Sequence, residues 1–260
     1  MNYSEIKALN FSSLKRLAVA PLWFRHCQEN PEPDKPAFSL GRAAHCLILE
    51  PHLFDSRFAI FGGVRNGGKW DAWQEEHPGI ESLKPHEKTT AEGIAAAIRA
   101  NRDVAPLLGG GLYEEPIQWV DRETGLACKG RVDYLRPTQL VDLKTTVDIA
   151  TAKFSRDAGT FLYHGQMAFY WEGLVTCGRL PPDADRPFIV VVEKKPPYDC
   201  GVYRMTVEAM TAGVQLYRSL IRRFEECTAA NFWPGKLSGI NDLNIPTWAA
   251  GSQTETEEEF

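Results

Sequence analysis

In "QLVDLKTT" (139–146), Val141 and Leu143 alternate with Asp142 and Lys144. A strand here puts two apolar side chains on one face and an acid and a base on the other, about 7 Å apart along the chain. Strands are also predicted at "LYEEPIQWV" and "LACKGRVDYL", joined by the turn-rich "DRETG" as a hairpin. "FIVVV" (188–192) is a continuous apolar run, as in a strand buried on both faces, and "CGVYRMTV" reads as its antiparallel neighbour. Helical patterns cover 12–28, capped by Ser12 or Ser13 and interrupted near Pro21, and "SLGRAAHCLILEP", which Pro51 ends and in which Ala44, Leu47 and Ile48 form the buried side. Further helices are predicted over 86–104, 159–176 and 207–228, and a short one after the glycine-rich loop "FGGVRNGG". "PEPDKP" is a loop. With no internal repeat and no obvious linker, the order predicts one α/β domain over residues 1–250.

Composition narrows the setting. A chain of 260 residues that is 43% hydrophobic can bury a sizeable core. No apolar run approaches the roughly 18 residues of a membrane span, and "MNYSEIKALNFSSLKRL" lacks the apolar stretch of a signal peptide, so a soluble, cytoplasmic protein with no membrane partner is expected. Six scattered cysteines with no C-x-x-C pair fit a reducing compartment better than a zinc site or a disulfide framework. The net charge of −5 argues against a general nucleic-acid coat. Four of those negative charges lie in "GSQTETEEEF", at Glu255, Glu257, Glu258 and Glu259, and 251–260 reads as a disordered acidic tail. A local basic groove is therefore compatible with the total.

The candidate chemistry is metal-assisted hydrolysis. Asp133 closes "GRVD", and Asp142 follows after one turn on the next strand, with Lys144 on the same face. Two carboxylates on neighbouring strands can converge on a hard cation such as Mg²⁺, while an ammonium orients a water or offsets charge on a phosphorane-like transition state. No Ser or Cys beside a His suggests a covalent route. Gln166 and Tyr170, four residues apart, share a helix face and can line the same groove. Arg65, Lys69 and Arg131 are the candidate phosphate contacts. Trp70, Trp73 and Trp233 read as core residues rather than as base-stacking platforms.

The order "GRVD", a turn, "VDLKTT", then "YHGQMAFY" resembles the PD-(D/E)XK nuclease superfamily, in the branch with a trailing Q-x-x-x-Y helix. "SSLKRLAVAPLWFR", "LGRAAHCLILEP" and "WVDRETGLACKGRVDY" are similar to the RecE-type exonucleases (exonuclease VIII) of phages and prophages, and the likeness runs from about residue 10 to "IPTWA". It implies a restriction-endonuclease-like α/β core, a central mixed sheet flanked by helices. It also implies Mg²⁺, with Mn²⁺ as a substitute, ligated by His45, Asp133, Asp142 and the carbonyl of Leu143, with Lys144 as the catalytic lysine. The family's active-site acid falls on Glu114, or on Glu115 if the register is misread by one. Gln166 and Tyr170 would steady the ligands or touch the strand being cut.

The resemblance further implies an exodeoxyribonuclease acting on double-stranded DNA ends, 5′ to 3′, leaving a 3′ single strand for a RecT-type annealing protein. A tetrameric ring, with positive charge turned inward, would reconcile such an enzyme with a net negative chain. A RecB-like structure-selective or single-strand nuclease and a non-catalytic DNA-binding subunit are the alternatives.

Overall fold

A computed structural model of the chain describes residues 6–31 and 39–249; the predicted acidic tail and residues 32–36 of the "PEPDKP" loop lie outside them. The chain runs α1 (Phe11–Val19), α2 (Pro21–Glu29), α3 (Ser39–Leu49), α4 (Phe54–Arg57), β1 (Phe58–Ile60), α5 (Gly68–Glu76), β2 (Glu81–Leu83), α6 (Pro85–Ala100), β3 (Leu112–Val120), β4 (Ala127–Arg136), β5 (Gln139–Thr146), α7 (Thr151–Thr160), α8 (Tyr163–Thr176), β6 (Phe188–Glu193), β7 (Cys200–Arg204) and α9 (Val207–Ala230). β3 to β7 form one sheet in sequence order. The β5–β6 pair is parallel and the other pairs are antiparallel, so the sheet is mixed, as predicted. β1 and β2 form a separate parallel pair, too short to leave a periodic signal in the sequence. No helix among the described residues is long and apolar enough to cross a membrane.

The apolar alternation sorts two cores onto the two faces of the sheet. Ile117, Trp119, Val132, Leu140, Ile189 and Val191 pack with α1, α2, α8 and α9. Tyr134, Val141, Leu143, Val190 and Val192 pack with α3 and α6. Val141 and Leu143 thus lie opposite to Leu140, which leaves Asp142 and Lys144 on the α8 side. Cys128 and Lys129 tie the N-terminal segment to β4, through Leu9 N–H to the Ala127 carbonyl (2.9 Å) and Lys129 N–H to the Leu9 carbonyl (2.7 Å). This anchors α1 beside the sheet.

Several boundaries depart from expectation for local reasons. The cap of α1 is Asn10, not Ser12 or Ser13: its side chain accepts from the Ser13 N–H at 2.8 Å. Ala20, preceding Pro21, is extended, so 12–28 is two helices. α6 stops at Ala100 because the Asn101 side chain takes the backbone N–H groups of Asp103 and Val104. The predicted helix over 159–176 begins at Tyr163, after a left-handed Leu162; α7 before it buries only Phe154 and so shows no apolar period. In α3 the buried side is Ala43, Ala44, Cys46 and Leu49, while Leu47 and Ile48 are half-buried.

α8 and α9 cross at Gly213, where a Cβ would stand 2.3 Å from the His164 carbonyl oxygen. Backbone cannot yield there as a side-chain tip can. Gly213→Ala is expected to force α8 from the sheet and lower stability by about 1–3 kcal/mol, or about 2–4 °C of melting temperature per kcal/mol in a chain of this size. An unchanged thermal melt would show that the helices separate freely.

Candidate metal centre and active site

Three acids occupy one transverse row of the sheet. In the β3–β4 register, Tyr113 pairs with Tyr134 and Glu115 with Val132, so Glu114 and Asp133 fall at the same level. In β4–β5 the pairing ends at Tyr134 with Val141, and one step further would set Asp133 against Asp142. The ladder is broken at this row. Glu114 has a φ of 49°, unusual for a side-chain-bearing residue in a strand and costly by roughly 1–3 kcal/mol. The alternation of β4 also slips here, since Val132 and Leu135 both pack in the α8-side core. Asp133 is therefore not the end of its strand, as expected, but the middle of it, where β4 and β5 part. Its Oδ2 fills the gap by accepting from the Leu143 N–H at 2.8 Å.

Around this row the other predicted residues converge. His45, from α3, brings Nδ1 to 3.8 Å from Asp133 Oδ2. One ligand atom each from His45, Glu114 and Asp133 lie within 4.8 Å of one another. These three line a cleft of about 690 Å³ together with Tyr170 and Arg131. Behind them Asp142 is 1% exposed, with Oδ2 2.5 Å from Lys144 Nζ and Oδ1 3.5 Å from Gln166 Nε2. Lys144 also lies 5.0 Å from the centre of the Tyr163 ring. Tyr170 can press against β4 because residue 130 is glycine; a Cβ there would stand 2.8 Å from its ring. Leu143 turns its side chain into the opposite core, while its backbone serves Asp133.

The electrostatics suit a cation. Burial pushes Glu114 up to about 7, with Asp133 adding to the rise and Arg131, 3.8 Å away, opposing it. Burial raises Asp142 to about 6 against the pull of Lys144, and it raises Asp133 likewise. Burial alone would lower Lys144, but Asp142 and Asp133 outweigh it and hold the ammonium charged. His45 is pushed down to about 4 by burial and then by Lys144, against Asp142 and a hydrogen bond with the Leu143 backbone. Its imidazole is therefore neutral at pH 7, the form that ligates metal. Asp142 Oδ2 is buried and has no hydrogen bond of good geometry among the described residues. Crowded carboxylates and a neutral imidazole fit a divalent cation of the Mg²⁺ or Mn²⁺ kind. His45, Glu114 and Asp133 are placed to hold it, with Asp142 and the Leu143 backbone adjoining.

The sequence leaves Glu114 and Glu115 open; in the structure Glu114 faces the cleft and Glu115 pairs with Arg179 at 2.7 Å. Arg131 lines the cleft. Arg65 does not. Its guanidinium is clamped by Ser82 and by Glu87 at 2.6 Å, and it braces β2 against α6. Lys69 is exposed on the first turn of α5 and is absent from the cleft lining. Of the aromatic residues read as core, Trp233 stacks on Phe24 at 5.5 Å, but Trp70 and Trp73 lie on a helix that buries nothing. Ser12, Arg42 and Arg57 also line the cleft and were missed. Arg42 had a signal: it precedes His45 by three residues, one turn away on the same helix face. Lys15, one turn after Ser12, has its pKa lowered by burial and by Lys144, which places its ammonium nearby.

A mixed sheet that carries an acid row, a D-x-K strand and a trailing Q-x-x-x-Y helix is a PD-(D/E)XK fold. Residues 4–244 match the family described as PDDEXK-like domain of unknown function (DUF3799), and the chain belongs to that family. A crystal structure of a presumed exonuclease from Eubacterium rectale matches with a TM-score of 0.63 over 95% of this chain and 94% of that one, at 16% identity, a likeness of fold. A phage-related exonuclease from Haemophilus somnus 129PT covers 88% of this chain and 99% of its own, at 13% identity and a TM-score of 0.36. No curated protein sequence matches.

If His45 is a ligand, His45→Ala should weaken metal binding by at least about tenfold, and more for Mn²⁺ than for Mg²⁺, because imidazole suits the softer ion. Calorimetric titration of both ions checks this. Equal affinities in variant and wild type would return His45 to a packing role.

Proposed function

We propose that this chain is a metal-dependent exodeoxyribonuclease of the RecE type. It works in the cytoplasm on double-stranded DNA ends, 5′ to 3′, and leaves a 3′ single strand for a RecT-type annealing protein. The observation that carries the reading is the row Glu114–Asp133–Asp142, with His45 at one end of the cleft and a charged Lys144 behind it. Such a set has one economical use: to bring a cation and an ammonium to one phosphodiester.

When bound, the cation would polarise the scissile phosphate and acidify a water. His45, Glu114 and Asp133 would hold it. Asp142 anchors Lys144, whose ammonium orients the attacking water and offsets charge that builds on the phosphate. Gln166 steadies Asp142 from α8, and Tyr170 walls the cleft. Arg131 meets the phosphate of the strand.

A processive enzyme must keep its substrate between cuts, and the resemblance supports a homo-oligomer, a tetrameric ring, for that purpose. With four negative charges in the last ten residues, the rest of the chain is nearly neutral, and phosphate contacts alone would give salt-sensitive binding. The test is an end-labelled linear duplex, with and without Mg²⁺, scored for mononucleotides from each end, alongside sedimentation at the working concentration. Release of mononucleotides from 5′ ends only with metal is expected. No cleavage by folded protein sinks the nuclease; a 29.1 kDa species that still degrades processively sinks the ring alone.

A further inference from the structure

The chain leaves its own body after α9. Asn231 ends that helix in the left-handed conformation, and Trp233 then stacks on the buried Phe24 of α2 at 5.5 Å and 11°. One residue on, the Pro234 carbonyl accepts from the Leu22 N–H at 3.0 Å. That N–H lies in the first turn of α2 and has no partner within its helix. These contacts fasten the chain as far as Gly235. Beyond it every described residue, 236–249, is exposed. The hydrogen bonds of this stretch are local ones, from the Asn241 amide to the Ser238 and Gly239 carbonyls and from the Ala249 N–H to the Pro246 carbonyl. None among the described residues ties it to the sheet or to a helix.

A segment with no role beyond its own chain gains nothing by holding apolar groups in water. This one is rich in them. Leu237, Ile240, Leu243, Ile245 and Trp248 recur every two or three residues, and each is at least 60% exposed. At the root of the arm, Leu22, Trp23 and His26 of α2 line an open groove of about 430 Å³ with Ala20, Gly235 and Lys236. Trp23 stacks on His26 at 5.5 Å, and both Leu22 and Trp23 are exposed. One chain thus carries an apolar arm and an apolar groove, and neither fills the other.

Three observations select the occupant. The only charged residues of the arm are Lys236 and Asp242, which cancel, so it offers a phosphate backbone no attraction. An unrelated protein would have to supply a matching groove, whereas a second copy already has one. Arm and groove also share one end of the molecule, since Gly235 and Lys236 belong to both. A two-fold axis there sets each arm against the other copy's groove and leaves no surface over. The area suffices: Trp248 brings roughly 150–250 Å² and each aliphatic side chain roughly 100 Å², so two arms and the surfaces they cover reach the roughly 1,600 Å² of a stable interface.

We propose that residues 236–249 are an exchange arm that binds a second copy of this chain, seating its apolar side chains in that copy's groove of Leu22, Trp23 and His26 while its own groove receives the other arm. The inference does not rest on the nuclease reading. Its unit is a two-fold pair, from which a ring of four needs one further interface.

The test uses the full chain. Sedimentation at micromolar concentration should give an even multiple of 29.1 kDa. The double variant Ile240→Asp with Leu243→Asp, and separately Leu22→Glu, should each weaken the pair at least tenfold. All three side chains are exposed in the single chain, so the circular-dichroism spectrum should stay that of a folded protein. A second measurement places a benzoylphenylalanine photocrosslinker at position 243 in an equal mixture of light and nitrogen-15-labelled chains. Adducts joining light to heavy chains at residues 20–26 are expected. A wild type that sediments at the mass of one chain overturns the exchange and the ring together. An oligomer that both variants leave intact, or whose crosslinks between chains miss residues 20–26, overturns the exchange and leaves the ring. Crosslinks formed only within one chain do the same, because the arm then covers its own groove.

Discussion

Asp142→Asn is expected to cut metal-dependent turnover by at least about a hundredfold while the chain stays folded. The substitution keeps volume and removes one charge from the most buried acid of the site. That charge is the direct partner of Lys144, whose Nζ lies 2.5 Å from Asp142 Oδ2. Its loss therefore unseats the ammonium and weakens the negative field that favours a cation. Removing one member of a buried pair usually costs about 3–5 kcal/mol. Here Lys144 is 16% exposed and Asp133 still attracts it, so the cost should lie at or below the lower end of that range. Turnover on a linear duplex at saturating Mg²⁺, circular-dichroism melting and DNA binding in EDTA separate the effects. A folded variant that cuts DNA at the wild-type rate would remove Asp142 from the mechanism.

The parts of this site that the sequence discloses are those set within one element. Asp142 and Lys144 share a face because a strand has period two, and β3 and β5 begin and end where their patterns do. Gln166 and Tyr170 share a helix face for the same kind of reason. What the pattern hides depends on pairing between elements. The level at which Glu114 meets Asp133 follows from the hairpin register, and the break in the ladder follows from the left-handed backbone at Glu114. Neither has a residue signature, since glutamate rarely adopts that conformation, and this is why Glu114 and Glu115 stayed open. Arg65 illustrates the opposite error. A glycine-flanked arginine looks like a phosphate ligand until Glu87, twenty-two positions on, takes its guanidinium. Trp70 and Trp73 look like core because their apolar surface is counted, whereas they form a part-buried stripe on Phe61 outside the two cores of the sheet. Packing decided these cases, and packing is a property of the whole chain.

Lys144→Ala should separate chemistry from metal binding. An ammonium cannot ligate a cation, and the three grouped ligand atoms belong to His45, Glu114 and Asp133. Turnover is expected to fall about a hundred- to thousandfold, the usual effect of removing a preorganised charge at a reacting phosphate. Affinity for Mn²⁺ should change by less than about tenfold. The comparison must be made above neutrality. Lys144 lowers the pKa of Asp142 and Asp133, so its loss lets both rise further, and Asp142 already stands at about 6. Protons would then compete with the cation as the pH falls, and an apparent loss of metal binding at pH 6 would report carboxylates rather than the lysine. At pH 8 that competition is weak in the wild type and modest in the variant. Calorimetric titration and turnover measured together at pH 8 give the test, with Lys144→Arg as the variant that keeps the charge. If metal binding and activity disappear in step at pH 8, Lys144 holds the acids in place and takes no part at the phosphate.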